Sequence, residues 1–325
     1  MRSLRRALAT VLATGRCVAV LLSVAAALLA IPLTARADNI FVTNFLDGTI
    51  GEYTTSGATV NASLITGLGR PEPIAVSGSD LFVANNGSGP NTTDGTIGEY
   101  TTSGVAVNAS LISGLSNPIG IAVSGSDLFV ANNGTTANGT IGEYTTSGAT
   151  VNASLISGVY YPYGIAVAGS DLFVVNGVTG TIGEYTTSGA TVNASLISGL
   201  LFPRYIAVSG GALFVVYLNS AHIGTIGEYT TSGATVNASL ITGLNQPSGI
   251  AVSGSDLFVV NAGNGTIGEY TTSGATVNAS LITGLNFPIG IAVVPVPEPS
   301  TALLLTAGLM GLAARPRHAR GGSIA

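Results

Sequence analysis

The chain has 325 residues with a formal net charge of −5, and only 8% of them are charged, so solubility rests on Thr, Ser, Asn and Gly. The charge is unevenly spread: five arginines precede Asp38, three close the chain, and between them Arg70 and Arg204 alone offset an acidic body without lysine. Such a body repels nucleic acid and anionic lipid, and with its single cysteine, Cys17, in the leader it has neither a disulfide nor a thiolate metal site.

Residues 1–37 read as a secretory signal peptide. Arg2, Arg5 and Arg6 form a basic start, an apolar run extends from Cys17 to Leu33, and Ala35-Arg36-Ala37 gives an A-x-A cleavage site, with the cut between Ala37 and Asp38. Cys17 sits at the wrong end of the apolar run for a lipoprotein cysteine, and Arg5-Arg6 lies too far upstream of it for a twin-arginine signal, so general secretion is expected.

Residues 38–294 form the body, and they are one unit copied six times. The phrase Gly-Thr-Ile-Gly-Glu-Tyr-Thr-Thr-Ser-Gly begins at Gly48, Gly95, Gly139, Gly180, Gly224 and Gly265, at intervals of 47, 44, 41, 44 and 41. Spacings near 40–45 residues are those of a propeller blade. One unit contains four β-like runs: Gly120-Ile-Ala-Val123, Asp127-Leu-Phe-Val-Ala-Asn132, Thr140-Ile-Gly-Glu-Tyr-Thr145 and Ala149-Thr-Val-Asn-Ala-Ser-Leu-Ile156. The first, short and apolar, reads as buried on both faces. The last alternates, predicting an outer strand with Val151, Ala153 and Leu155 on one face and Thr150, Asn152 and Ser154 on the other.

The ends of the body are complementary. It opens with Ile40-Phe-Val-Thr-Asn44, a second-type run without its first, and finishes with Gly290-Ile-Ala-Val293, a first-type run without its second. Pairing them completes a sixth blade in a three-plus-one composite, so the expected fold is all-β: a closed six-bladed β-propeller. The recurring Pro-x-Gly-Ile-Ala-Val, Leu-Phe-Val-Ala-Asn and Thr-Ile-Gly-Glu-Tyr segments resemble the NHL repeat and its six-bladed propellers. Asn replaces that repeat's usual aspartate at positions such as Asn85 and Asn132, so the family's RNA- or protein-binding roles do not carry over with the fold.

The copies disagree in the stretch before the first strand and in the loop after the second. In a four-stranded blade those two connections emerge on one side of the disc, and the invariant Ser-Gly-Ser-Asp and Thr-Thr-Ser-Gly turns on the other. Tyr160, Tyr161, Tyr163, Phe202, Arg204, Tyr205 and Phe287 belong to the variable side, and aromatics and arginine are the residue types enriched where proteins bind partners. A polysaccharide or a surface protein is the ligand class expected there; drift in loops free of function is the competing explanation.

Nothing singles out a catalytic group. Glu52, Glu99, Glu143, Glu184, Glu228 and Glu269 recur in every copy, whereas acid–base catalysis needs one or two carboxylates with separated pKa values. A structural role, such as hydrogen bonding to a neighbouring blade, is expected of them. Asp80, Asp127, Asp171 and Asp256 end tight turns, His222 is the body's one histidine, and the six Asn-Ala-Ser sequons are accounted for by the alternating strand. No catalytic residue, metal site or cofactor is assigned, although calcium bound by oxygen ligands stays open.

Residues 295–325 carry a second address. Pro297-Glu298-Pro299 leads into the apolar run from Ala302 to Ala314, followed by Arg315, Arg317 and Arg320. This order resembles the bacterial PEP-CTERM sorting signal, which implies a membrane-spanning helix with a cytoplasmic basic end, and an exosortase-type enzyme that recognises Pro297, Glu298 and Pro299. The run is shorter than the roughly 20 residues of a comfortable span. The expected protein is therefore exported to the cell envelope or surface, or released after processing, and acts as a non-catalytic binding or structural module of the envelope or extracellular matrix. A propeller enzyme of the lactonase or sugar-dehydrogenase kind and a passive repeat spacer are the alternatives.

Overall fold

A computed structural model describes residues 38–88, 92–134, 138–218 and 223–294. The signal peptide with Ala37, His222, the Pro297-Glu298-Pro299 motif and the expected C-terminal helix lie outside them. Among the described residues no helix is long and apolar enough to cross a membrane.

These residues form 24 strands in six four-stranded antiparallel sheets. Blade 1 is the composite: Pro288–Val294 lies inside, followed outward by Asn39–Asn44, Thr49–Thr54 and Thr59–Ile65. Blades 2 to 6 are continuous in sequence, and their innermost strands are Pro71–Ser77, Pro118–Ser124, Pro162–Ala168, Pro203–Ser209 and Pro247–Ser253. Each innermost strand packs on the next, and the last, Pro247–Ser253, packs on Pro288–Val294, which in turn meets Pro71–Ser77. The array is a closed ring, and both exposed edges of a linear array are thereby removed.

The core is a set of six clusters, one in each gap between blades. Between blades 2 and 3, for instance, Phe82, Ala84, Ile97 and Ile112 meet Ile121, Leu128, Val130 and Tyr144, while Leu81 and Val83 point the other way into blade 1. The second strand is thus the one sandwiched on both sides, with Leu81, Val83 and Ala84 at 0% exposure. The first strand, expected to be buried on both faces, is buried over its first residues, as from Pro118 to Ile121, and half-buried beyond them, and its isoleucines both pack between blades and line the central channel. The fourth strand departs further from expectation. All of Thr150 to Ser154 is exposed, Val151 included, and burial begins only at Leu155 and Ile156. A bulge between Ile141 and Glu143 breaks the register of the pair, and the Asn152 side chain folds back to accept a hydrogen bond from the Ser154 amide at 3.1 Å. The outer strand stays paired with the third through Thr150 and Asn152, but the register shifts leave neither of its faces buried over Thr150 to Ser154.

The repeated phrase is explained by the joints it makes. Its isoleucine and tyrosine fill the gaps on the two sides of a blade, Ile97 toward blade 3 and Tyr100 toward blade 1, and the tyrosine ring lies over the intervening glycine, Gly98. The following threonine caps the next turn: Thr101 Oγ1 accepts from the Val105 amide at 3.1 Å and shares a hydrogen bond with Ser103 Oγ at 2.8 Å. That turn ends on Gly104, at φ +86°, and a Cβ there would lie 2.8 Å from the Leu64 carbonyl of the preceding blade. Glycine alone meets both demands. The same contact recurs around the ring and joins Gly57 of blade 1 to Leu281 of blade 6. The phrase is invariant because each copy is one half of a blade-to-blade joint.

Side-chain hydrogen bonds hold the composite blade in place. Thr43 stands where other blades have alanine or valine, and its hydroxyl accepts from the Gly290 amide at 2.7 Å while donating to the Glu72 carbonyl of blade 2 at 2.8 Å. Ser248 of blade 6 donates to the Pro288 carbonyl at 2.8 Å, and Ser253 donates to Asp38 at 2.7 Å. The closing strand is tied to both of its neighbours.

Candidate functional site at the axial mouth

Every innermost strand begins at a proline, and the residue before it has a left-handed backbone: Arg70, Asn117, Tyr161, Phe202, Gln246 and Phe287 have φ between 47° and 54°. Non-glycine residues take this conformation only where their surroundings hold it. Here the hold is a hydrogen bond from the loop after the second strand, as from the Asn86 amide to the Arg70 carbonyl and from the Gly177 amide to the Tyr161 carbonyl, both at 3.1 Å. The two variable connections therefore meet on one face of the disc, as expected from strand count.

The residue after each proline then faces the axis. Around the ring these residues are Glu72, Ile119, Tyr163, Arg204, Ser248 and Ile289, and all six line a cavity of about 270 Å³ at the channel mouth. The next position is glycine in blades 1, 3, 4 and 6, where neighbouring strands approach so closely that a Cβ on Gly120 would lie 2.0 Å from the Tyr163 carbonyl oxygen. Blade 5 has Tyr205 instead, and its side chain enters the cavity. One layer deeper, Ile74, Ile121, Ile165, Ile206, Ile250 and Ile291 surround a second, smaller cavity of about 70 Å³. The mouth is a shallow cup on an apolar floor.

Glu72 and Arg204 project from blades 2 and 5, three blades apart and so on opposite sides of the axis. The guanidinium lies 5.8 Å from the Tyr163 ring centre, a cation–π contact with the adjacent blade. Burial pushes the Glu72 carboxyl up to about 7, although a hydrogen bond from Asn86 and the charge of Arg204 pull it down. Tyr205 is raised well above the usual range, mainly by burial and then by Glu72. Asn86 and Asn133, from the loops of blades 2 and 3, line the same cavity, and their Oδ1 atoms are buried without a hydrogen-bond partner. Phe45 and Phe287 form the wall beside blade 1, with ring centres 6.0 Å apart.

The seven expected face residues divide. Tyr163, Arg204, Tyr205 and Phe287 converge on the mouth. Tyr161 and Phe202 stand exposed on the rim, and Tyr160 lies in an outer groove of blade 4 with Thr179 and Ser195. Glu72, Asn86, Asn133 and Ser248 were missed; the signal for Glu72 and Ser248 is their place directly after the strand-opening proline, and for Asn86 and Asn133 their place directly after the asparagine that ends the second strand. The regular glutamates lie on the third strands, away from the mouth. Glu52 accepts from Asn39 of its own blade at 2.8 Å, a partner within the blade rather than across to a neighbour. Among the described residues no three His, Cys, Asp or Glu side chains come together as a metal cluster.

Residues 295–317 match the PEP-CTERM protein-sorting motif, which implies export, sorting to the cell surface and processing by an exosortase-type enzyme. Comparison with characterised proteins finds no match. Among solved structures the chain is similar to one in a nidogen/laminin complex, at 12% identity over 79% of this chain and 98% of that one, with a TM-score of 0.63. It is also similar to a streptogramin B lyase, at 22% identity over 80% and 88% of the two chains with a TM-score of 0.57. A gluconolactonase from Xanthomonas campestris matches at 12% identity over 70% and 84%, with a TM-score of 0.55. At these identities the likeness is one of fold.

Proposed function

We propose that this chain is an exported, surface-sorted propeller that binds a partner non-catalytically through its axial mouth, as a module of the envelope or matrix. One observation carries the reading: a scaffold repeated almost without change six times places Glu, Ile, Tyr, Arg, Ser and Ile at the six equivalent positions that face the cup. Drift alone has no reason to gather a carboxylate, a guanidinium and two tyrosines at one end of the axis, whereas recognition needs such convergence. The expected result is that Tyr163→Ala with Arg204→Ala removes partners captured from the cell surface while the melting temperature stays within a few degrees. Capture unchanged by the pair would sink the reading.

A hydrolase remains the second reading, favoured by a carboxyl poised near neutrality opposite an arginine. Lactone hydrolysis abolished by Glu72→Gln in folded protein would establish it.

A further inference from the structure

Resting on the axial mouth as a binding site, we propose that its ligand is one neutral sugar ring, the end residue of a glycan chain. Size sets the first limit: about 270 Å³ is at the small end of ligand pockets, and the cavity beyond it within the isoleucine ring holds only about 70 Å³. The cup takes one ring entering from the loop face, with any remaining chain outside.

Hydrogen-bond chemistry sets the second. Asn86 and Asn133 line the cup on the side of blades 2 and 3, beside Glu72. Together these amides and the Glu72 carboxyl offer acceptors there, which suit an occupant that donates. Across the axis Arg204 can only donate, so the occupant has to accept there. The Glu72 carboxyl and the Tyr163 and Tyr205 hydroxyls can do either. A sugar hydroxyl is both donor and acceptor, and a ring carrying several meets both demands at once. Its C–H face has an apolar wall in Phe45 and Phe287.

Charge excludes the other small ligands. A divalent cation would have a single carboxylate and would face the guanidinium of Arg204. Phosphate would gain Arg204 but meet Glu72 and two carbonyl oxygens. An alkylammonium ion would pair with Glu72 but leave Arg204, across the axis, without an acceptor. A neutral polyol serves both sides of the cup at once and opposes no like charge on either.

The test uses the full chain in detergent, titrated by saturation-transfer NMR with the methyl glycosides of glucose, galactose, mannose and N-acetylglucosamine, and separately with calcium chloride and inorganic phosphate. At least one glycoside should bind in the millimolar range. Glu72→Gln and Asn133→Leu should each weaken it about tenfold, the effect of one lost hydrogen bond to a polar or charged group, and Tyr160→Ala, outside the cup, should leave it unchanged. Melting curves of each variant establish that it is folded. Absence of glycoside binding, binding indifferent to the mouth variants, or stoichiometric calcium or phosphate binding lost in Glu72→Gln overturns the proposal. If the glycosides fail while Tyr163→Ala with Arg204→Ala still abolishes surface capture, the sugar assignment falls and the mouth as a partner site stands.

Discussion

Asn39 donates a hydrogen bond to Glu52 at 2.8 Å, and it does so from a position that aspartate holds in blades 2, 3, 4 and 6. In those four blades the glutamate therefore faces a second carboxylate. Burial, and next the aspartate charge, raise Glu99, Glu143, Glu184 and Glu269 above the ordinary carboxylate range. Replacing Asp80, Asp127, Asp171 and Asp256 by asparagine should stabilise the ring at pH 7 by about 0.2–1 kcal/mol per blade. The gain should shrink in 1 M salt, where charge repulsion is screened. A quadruple variant that melts no higher than its parent in low salt would show that the paired carboxylates cost nothing.

Glu72 gives stability a pH dependence of defined sign. Its carboxyl titrates near 7 in the fold and at the ordinary 4.5 when unfolded, so between those values the folded chain holds a proton that the unfolded chain has released. The associated stability is complete below about pH 4.5 and lost as the pH rises through 7, a change of about 3 kcal/mol at most. Glu72→Gln cannot titrate, and its unfolding free energy should vary less between pH 5 and 8 than the parent's. Parallel profiles for the two proteins would move the titration to another group.

How much of this was legible in the sequence follows from what repeats. Strand order, blade number and the composite closure can be read from copies whose ends complement each other, because every blade must bury the same isoleucine, phenylalanine and tyrosine against the next. The mouth is harder to read because its residues come from six places in the chain and depend on register. Tyr161 and Tyr163 are two residues apart, yet the first is on the rim at φ +47° and the second lines the cup. The bend before Pro162 separates them, and aromatic character alone gives no hint of it. Glu72 follows its proline as Arg204 does, so the two are equivalent in register and opposite in charge. The outer strand failed for a related reason: alternation marks what a strand could bury, and Thr150 to Ser154 have no neighbouring sheet to bury it against.

Closure of the ring rests on a hydroxyl that can be removed without changing the shape of the core. Thr43 is fully buried, and the equivalent positions hold Ala84, Ala131, Val175, Val216 and Val260, so valine fits there in the surroundings of a second strand. Thr43→Val keeps that packing but leaves the Gly290 amide and the Glu72 carbonyl without their shared partner. Each orphaned group costs about 1–3 kcal/mol, so the loss should be about 2–4 kcal/mol, and in a body of this size the melting temperature should fall by roughly 5–15 °C. Hydrogen exchange should localise the damage, with the Gly290 amide losing protection before those of the continuous blades. If Thr43→Val melts with the parent and Gly290 stays protected, the inner strand is held by its ladder to Asn39–Asn44 and its packing on the neighbouring blades, and the hydroxyl is incidental to closure.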